Sequence, residues 1–447
     1  MEINKSDFGD KFVWGVAASA FQTEGSCYED GKGPSIWDEF AKKKGKIFKG
    51  HSANVSCDFY NQYTRDIALM KSMNISNFRF SFSWSRIFPK GDTELNLQGL
   101  AFYDRVIDLC LEFGIDPWVT LYHWDLPLTL QQKGGWANRE IVSHFSDYVS
   151  FCINHFGDRV KHWMILNEPM VYTGAGYFLG IHAPGKRGMN NFIPATHHSA
   201  LAQAAGINIA KNLRSDIEVG TTFSCSAIHP HTEKEKDIKA ALRVDALVNR
   251  LFVEPLSGLG YPLESLPFLR RIEKYMHQDD EKALSAIPDF IGIQNYTREV
   301  VKHSFFTPYI KSSLVSAKKR VEEVTEMEWE IYPQAMHEML HRFSKYNYKK
   351  IYVTENGAAF PDSVENGKIN DNKRKQYLQA NIAEILKAKA EGVNVEGYFV
   401  WSFTDNFEWA EGYRPRFGLV HVNYETQKRI IKDSGHWYSS FLGESQN

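Results

Sequence analysis

An α/β fold, a single closed (β/α)8 barrel filling residues 1–447, is predicted by three observations on this sequence. Short runs rich in β-branched and aromatic residues alternate with longer helical stretches eight times, and alternation this regular implies parallel strands joined by helical crossovers. No linker-like or low-complexity segment interrupts the rhythm, so nothing divides the chain into domains. Several of the apolar runs end in a polar or charged residue, the pattern of a TIM barrel whose strand ends gather at the C-terminal face beneath long βα loops.

Taken in order, the first strand is expected over Phe12 to Ser19, followed by a long polar loop to about Cys57 that belongs at the mouth of a site. A helix from about Tyr60 to Met73 leads into Asn77-Phe78-Arg79-Phe80-Ser81-Phe82, where a period of two sets aromatics on one face and Arg79 on the other. Helix 99–113, a strand from Asp116 to Trp124, helix 138–156 and a strand ending in Asn167-Glu168-Pro169 complete the first half. The second half repeats the pattern with a helix near 195–213, strand 218–225, a helix near 236–251 and strand Asp289 to Tyr296. Residues 301–330 read as an irregular, charged rim loop ahead of a helix from about Pro333. The strand Ile351-Tyr352-Val353-Thr354-Glu355-Asn356-Gly357, helix 371–390, strand 395–403, loop 404–416 and a last helix from about Asp433 finish the chain.

Composition excludes some partners. A formal net charge of -2 over 447 residues provides no field for nucleic acid or an anionic lipid surface. Five scattered cysteines with no CxxC spacing read as reduced thiols, and the N-terminus MEINKSDFGDKF lacks a signal-peptide core, so a cytoplasmic protein with no membrane partner is expected. Nothing indicates an oligomeric state. Aromatic residues make up 14 % of the chain, and flat apolar faces suit pyranose rings as well as a large core.

Glu355 and Glu168 each close an apolar run, and a carboxylate there is costly to desolvate unless a charge or donor answers it. Two carboxylates across a sugar-sized cleft are the minimum for glycoside hydrolysis, about 5–5.5 Å apart in retaining enzymes and about 6.5–9.5 Å apart in inverting ones, a gap that a sequence does not measure. Arg79 on the second strand and Tyr296 at the end of the sixth are the expected partners that keep Glu355 ionised as a nucleophile. Glu168, facing that negative charge, is then expected to hold its proton and serve as the general acid.

From these residues the chain resembles a family 1 glycoside hydrolase of the β-glucosidase type, from about Phe8 to the last helix. The resemblance implies that the Asn-Glu-Pro motif places the acid/base at Glu168 and Thr-Glu-Asn-Gly the nucleophile at Glu355 of a retaining, exo-acting β-glycosidase without a cofactor. It further implies a sugar-binding set of Gln22, His123, Trp124, Asn167, Trp401, Glu408 and Trp409, with Phe417 nearby and Trp329 stacking on the leaving group. In that reading Asn167 holds the 2-hydroxyl, Trp401 lies under the ring, and Gln22 and Glu408 grip vicinal hydroxyls. One departure stands out: where the family usually reads Asn-Tyr-Tyr, this chain reads Gln294-Asn295-Tyr296.

Three other readings compete. A sugar-binding barrel that lost turnover would show a replaced carboxylate, and both are present. A 6-phospho-β-glycosidase would read a phosphate in the loop after the last strand, where this chain carries Asn406-Phe407-Glu408-Trp409, and a carboxylate repels a dianion. A metal-dependent hydrolase needs a His/Asp cluster at the strand ends, which the histidines do not supply. The His197-His198 pair begins a helix-like run with no HExxH spacing or matching acidic ligand, so no metal is expected. Trp84, Trp136 and Trp163 read as packing residues. Glucosides, galactosides and fucosides remain open.

Overall fold

The computed structural model describes residues 3–92, 94–346 and 348–443. Eight parallel strands close into one barrel: β1 (Val13–Ala17), β2 (Asn77–Ser81), β3 (Asp116–Tyr122), β4 (His162–Asn167), β5 (Glu218–Ser224), β6 (Phe290–Gln294), β7 (Ile351–Asn356) and β8 (Val395–Trp401). Each strand pairs with its neighbours in sequence, and β8 returns to β1. After them come helices α1 (Phe59–Ser72), α2 (Leu97–Glu112), α3 (Ile141–Phe156), α4 (Met189–Leu213), α5 (Glu235–Asp245), α6 (Gln334–Ser344), α7 (Asn372–Ala390) and α8 (Asp433–Gly443). The barrel read from the sequence is therefore the observed fold.

Strand alternation sorts the core into two layers. Val119, Ile165, Ile291, Val353 and Val400 face outward and pack with the helices in one continuous apolar cluster. Trp118, Met164, Phe290, Tyr352 and Phe399 face inward and form a second cluster. The Trp118 ring lies 5.1 Å from Phe399 and 4.9 Å from Tyr352, which in turn lies 5.1 Å from Phe290. These edge-on aromatic contacts plug the barrel, so its interior is a packed floor and not a pore.

Two expectations change. Helix α4 begins at Met189 and runs through Pro194, because buried Met189, Phe192 and Ile193 hold the segment against its neighbours despite the missing backbone donor. Residues 301–330 are not wholly irregular: Arg298–His303 pairs with Ala227–Pro230 and with Ser312–Leu314 in a three-stranded sheet outside the barrel. Buried Val301 packs with Ala240, Ala241 and Val244 of α5 on the apolar side of that sheet, and its charged residues obscured the strand pattern. Among the described residues, no helix is long and apolar enough to cross a membrane. All five cysteines are free and buried.

Candidate active site

Both catalytic candidates leave their strands through an irregularity. Along β7, Tyr352 faces the barrel interior and Val353 the helices, so simple alternation would turn Glu355 outward with Val353. The register slips between Val353 and Glu355 against β6, and again before Asn356 against β8. That bulge turns the carboxylate toward the cavity, a use of bulges common beside active sites. The pairing of β4 with β5 slips in the same way between Met164 and Asn167. Glu168 then follows with a left-handed backbone, φ 47°, and Trp124 and Trp409 share this rare conformation at φ 78° and 49°. Positive φ in residues with side chains costs about 1–3 kcal/mol each, and three such residues lining one cavity mark it as a site built under strain.

Glu355 is held by three donors. Arg79 on β2 is fully buried, and its Nη1 donates to Glu355 Oε1 at 2.6 Å. Gln294 Nε2 donates to the same oxygen at 2.8 Å, and Tyr296 Oη donates to Oε2 at 2.6 Å. Burial raises the Glu355 pKa, while Arg79 and Tyr296 pull it back down. Glu168 is also buried, but burial and the charge of Glu355 push its pKa well above the ordinary carboxylate range, against smaller opposing pulls from Ser224 and Arg79. The two carboxyls line one cavity and both are raised, Glu168 further, because the charge of Glu355 opposes its ionisation while Arg79 and Tyr296 favour the charge on Glu355. Tyr296, lifted by burial and by Glu355, keeps its proton and remains a donor.

Beneath the cavity floor, Asn167 is the junction. Its Oδ1 accepts from Arg79 Nη2 at 2.6 Å, Gln294 Nε2 at 2.8 Å and Thr222 Oγ1 at 3.0 Å. This leaves Nδ2 directed at His123 Nε2, 3.0 Å away. His123 thus accepts on Nε2 as a neutral ring, in accord with burial and Arg79 holding its pKa well below the usual value.

The cavity measures about 370 Å³, within the range of small-ligand sites. Of the residues singled out from sequence, Gln22, His123, Trp124, Glu168, Tyr296, Trp329, Glu355, Trp401, Glu408, Trp409 and Phe417 all line it. Arg79 and Asn167 lie behind that lining and are wholly buried. Gln22 ties the first loop to the last, its Nε2 donating to Asn406 Oδ1 at 3.1 Å, Phe407 O at 3.0 Å and Glu408 Oε2 at 3.3 Å. Asp405 anchors the same loop, accepting from Lys432 Nζ at 2.7 Å and Arg416 Nη1 at 2.7 Å. Burial and Glu355 raise the Glu408 carboxyl to about 8. Half-buried Trp329 sits at the outer end, 5.2 Å from the Tyr296 ring and 6.2 Å from Phe417.

Sequence reasoning missed part of the wall: Val171, His182, Ser224, Ser226, Glu299, Met327 and Glu411 also line the cavity. They carry no motif, and Glu299 sits on the outer three-stranded sheet that the sequence concealed. Gln294 was noticed only as a departure, whereas it bridges Asn167 and Glu355.

The sequence matches the model of Glycosyl hydrolase family 1 over residues 4–446. Beta-glucosidase A of Thermotoga maritima is 43 % identical, the match covering 98 % of this chain and 98 % of that protein. Beta-glucosidase A of Acetivibrio thermocellus is 42 % identical over 98 % of this chain and 99 % of its own. The solved structure of the beta-glucosidase from Thermotoga maritima in complex with glucoimidazole has a TM-score of 0.93 at 44 % identity, covering 97 % of this chain and 98 % of that one. The barrel, the paired carboxyls in one aromatic cavity and this match over nearly the whole length agree: the chain belongs to glycosyl hydrolase family 1.

Proposed function

We propose that this protein is a retaining, exo-acting β-glycosidase that removes terminal β-linked sugars from small glycosides or oligosaccharides by double displacement. The observation that carries the reading is the unequal treatment of two carboxyls in one cavity. Glu355 is fastened by Arg79, Gln294 and Tyr296, whereas Glu168 is pushed to keep its proton. In this reading the ionised Glu355 attacks the anomeric carbon while Glu168 protonates the departing oxygen, forming a glycosyl ester. Water, deprotonated by Glu168, then attacks the same carbon and releases Glu355, so the anomeric configuration is kept. Gln22, His123, Trp124, Trp401, Glu408 and Trp409 are the proposed glycone contacts, with Asn167 reading the 2-hydroxyl and Trp329 stacking on the leaving group. The names of the relatives favour glucosides, and a cavity that joins tryptophan faces to several carboxyls fits a neutral sugar better than an anionic one.

The test uses Glu168→Ala with a dinitrophenyl β-glucoside, whose good leaving group needs little protonation. A burst of dinitrophenol followed by slow turnover is expected, with azide restoring the rate and yielding the β-glycosyl azide. A 2-fluoro glucoside should label Glu355 in the unsubstituted enzyme. An α-glycosyl azide would indicate a single displacement and overturn the retaining assignment, and a label on any other carboxylate would overturn the nucleophile.

A further inference from the structure

On the outer helical layer, α6 carries His337-Glu338-Met339-Leu340-His341, an HExxH spacing. Residues four apart share one face of a helix. Here both imidazole Nε2 atoms reach the same oxygen, Oε2 of Glu391, each at 2.7 Å. Glu391 is the C-cap of α7, so the three side chains join one face of α6 to the C-terminal end of its neighbour. Their ligand atoms all lie within 4.8 Å of one another. The His337, His341 and Glu391 side chains are 20 %, 36 % and 43 % exposed, which leaves them open to an ion from solvent.

We propose that His337, His341 and Glu391 form a binding site for a divalent transition-metal ion of the zinc type. Two imidazoles and a carboxylate are the nitrogen and oxygen donors such an ion prefers. Zinc bonds of about 2.0–2.2 Å at tetrahedral angles separate ligand atoms by about 3.3 Å, so the carboxylate oxygen retreats by about half an ångström from each imidazole while the two Nε2 atoms, within 4.8 Å of each other, draw toward the same spacing. An entering ion takes the place of the shared hydrogen bonds, and each ring binds it as the neutral imidazole through Nε2, the proton that Nε2 carried moving to Nδ1.

The spacing is that of zinc peptidases, in which the intervening glutamate is the base, but Glu338 is turned away here. Its Oε2 lies 2.9 Å from His229 Nε2, and its Oε1 lies 3.5 Å from Tyr332 Oη. With Glu338 held by His229, the site lacks the base of a hydrolytic centre. It also lies far from the chemistry: Glu391 precedes the start of β8, at the opposite barrel end from Glu355. The second cluster with ligand spacing, Asp362, Asp405 and His421, is not a rival, because Lys432 Nζ sits 2.5 Å from Asp362 and 2.7 Å from Asp405. The buried cysteines do not compete for the ion either.

Untagged, chelator-treated full-length protein should be titrated with zinc chloride by calorimetry, and its melting followed in parallel. One zinc ion per chain is expected, and a melting temperature raised by about 3 °C at a hundredfold excess over Kd. Hydrolysis of a nitrophenyl glucoside should not change. His337→Gln, His341→Gln and Glu391→Gln should each weaken zinc binding at least about tenfold, whereas Glu338→Gln should retain it. Because the altered side chains are solvent-accessible, these variants should fold, which circular dichroism checks. No calorimetric binding by the native protein, or binding undiminished in a folded His337→Gln/His341→Gln variant, would overturn the assignment.

Discussion

Replacing Gln294 with leucine removes a donor from Glu355 at nearly constant volume. The lost contact is a 2.8 Å bond from Nε2 to the carboxylate, and a bond to a charged group contributes about 1.5–3 kcal/mol. At about 1.4 kcal/mol per pKa unit, Glu355 in Gln294→Leu should ionise about 1–2 pH units higher. The sign follows from the proposed role: the nucleophile acts ionised, so the acid limb of kcat/KM moves to higher pH. The alkaline limb, set by Glu168 keeping its proton, should move much less. Stability should change little, because Gln294 Oε1 is buried without a partner among the described residues, and removing an unpaired carbonyl offsets about 1–3 kcal/mol of the loss. Asn167 Oδ1 still has Arg79 and Thr222 as donors. The measurement is kcat/KM for a nitrophenyl β-glucoside across pH, beside a thermal melt. An unmoved acid limb in a protein of unchanged melting temperature would show that Gln294 does not help to hold the nucleophile's charge.

Glu408→Ser should lower kcat/KM for plain glucosides roughly fivefold to 150-fold, the equivalent of about 1–3 kcal/mol, and reduce discrimination against 6-phosphorylated substrates. Because Glu408 is raised to about 8, its charge can repel a phosphate only once it ionises. The preference for plain over phosphorylated glucoside should therefore grow between about pH 7 and pH 9 in the native enzyme and stay flat in Glu408→Ser, whereas a parallel rise in both would remove Glu408 from that role. Gly357→Ala would place a Cβ 1.8 Å from the Trp401 carbonyl oxygen, a backbone atom that cannot yield locally. A loss of about 1–3 kcal/mol or more is expected, and an unchanged melting temperature would contradict the close approach of β7 and β8.

The barrel was legible because its alternation depends on local propensity repeated over the whole chain. The site was legible where chemistry forced unusual residues onto strand ends: Arg79 inside a strand, and Glu168 and Glu355 each after an apolar run. What alternation conceals is the pair of register slips. Counted from Tyr352, Glu355 belongs on the helix side, and only the slip between Val353 and Glu355 returns it to the cavity. A bulge is a property of two strands together, and neither strand announces it alone. The outer sheet was hidden for a related reason. Arg298, Glu299 and Lys302 break the apolar run, yet Arg298 is answered by Glu330 at 2.8 Å from a distant part of the chain.

The shared hydrogen bonds of Arg79 bear on how one residue, Glu168, serves two opposite roles in the proposed cycle. Arg79 divides its guanidinium between Glu355 Oε1 and Asn167 Oδ1, and Gln294 donates to the same two oxygens. While Glu355 is ionised, its charge is matched by Arg79, and burial together with that nearby carboxylate keeps Glu168 protonated. Forming the glycosyl ester removes the negative charge but leaves the arginine, so Glu168 loses a repelling neighbour and faces an unopposed cation. Both changes favour its ionised form. It can then take a proton from water, and hydrolysis of the ester restores the charge that returns Glu168 to its acid form. The cycle needs no movement of the backbone. It needs only a buried arginine that stays in place while the charge beside it is spent and remade, and the fully buried position of Arg79, held by residues of β4 and β7, meets that requirement.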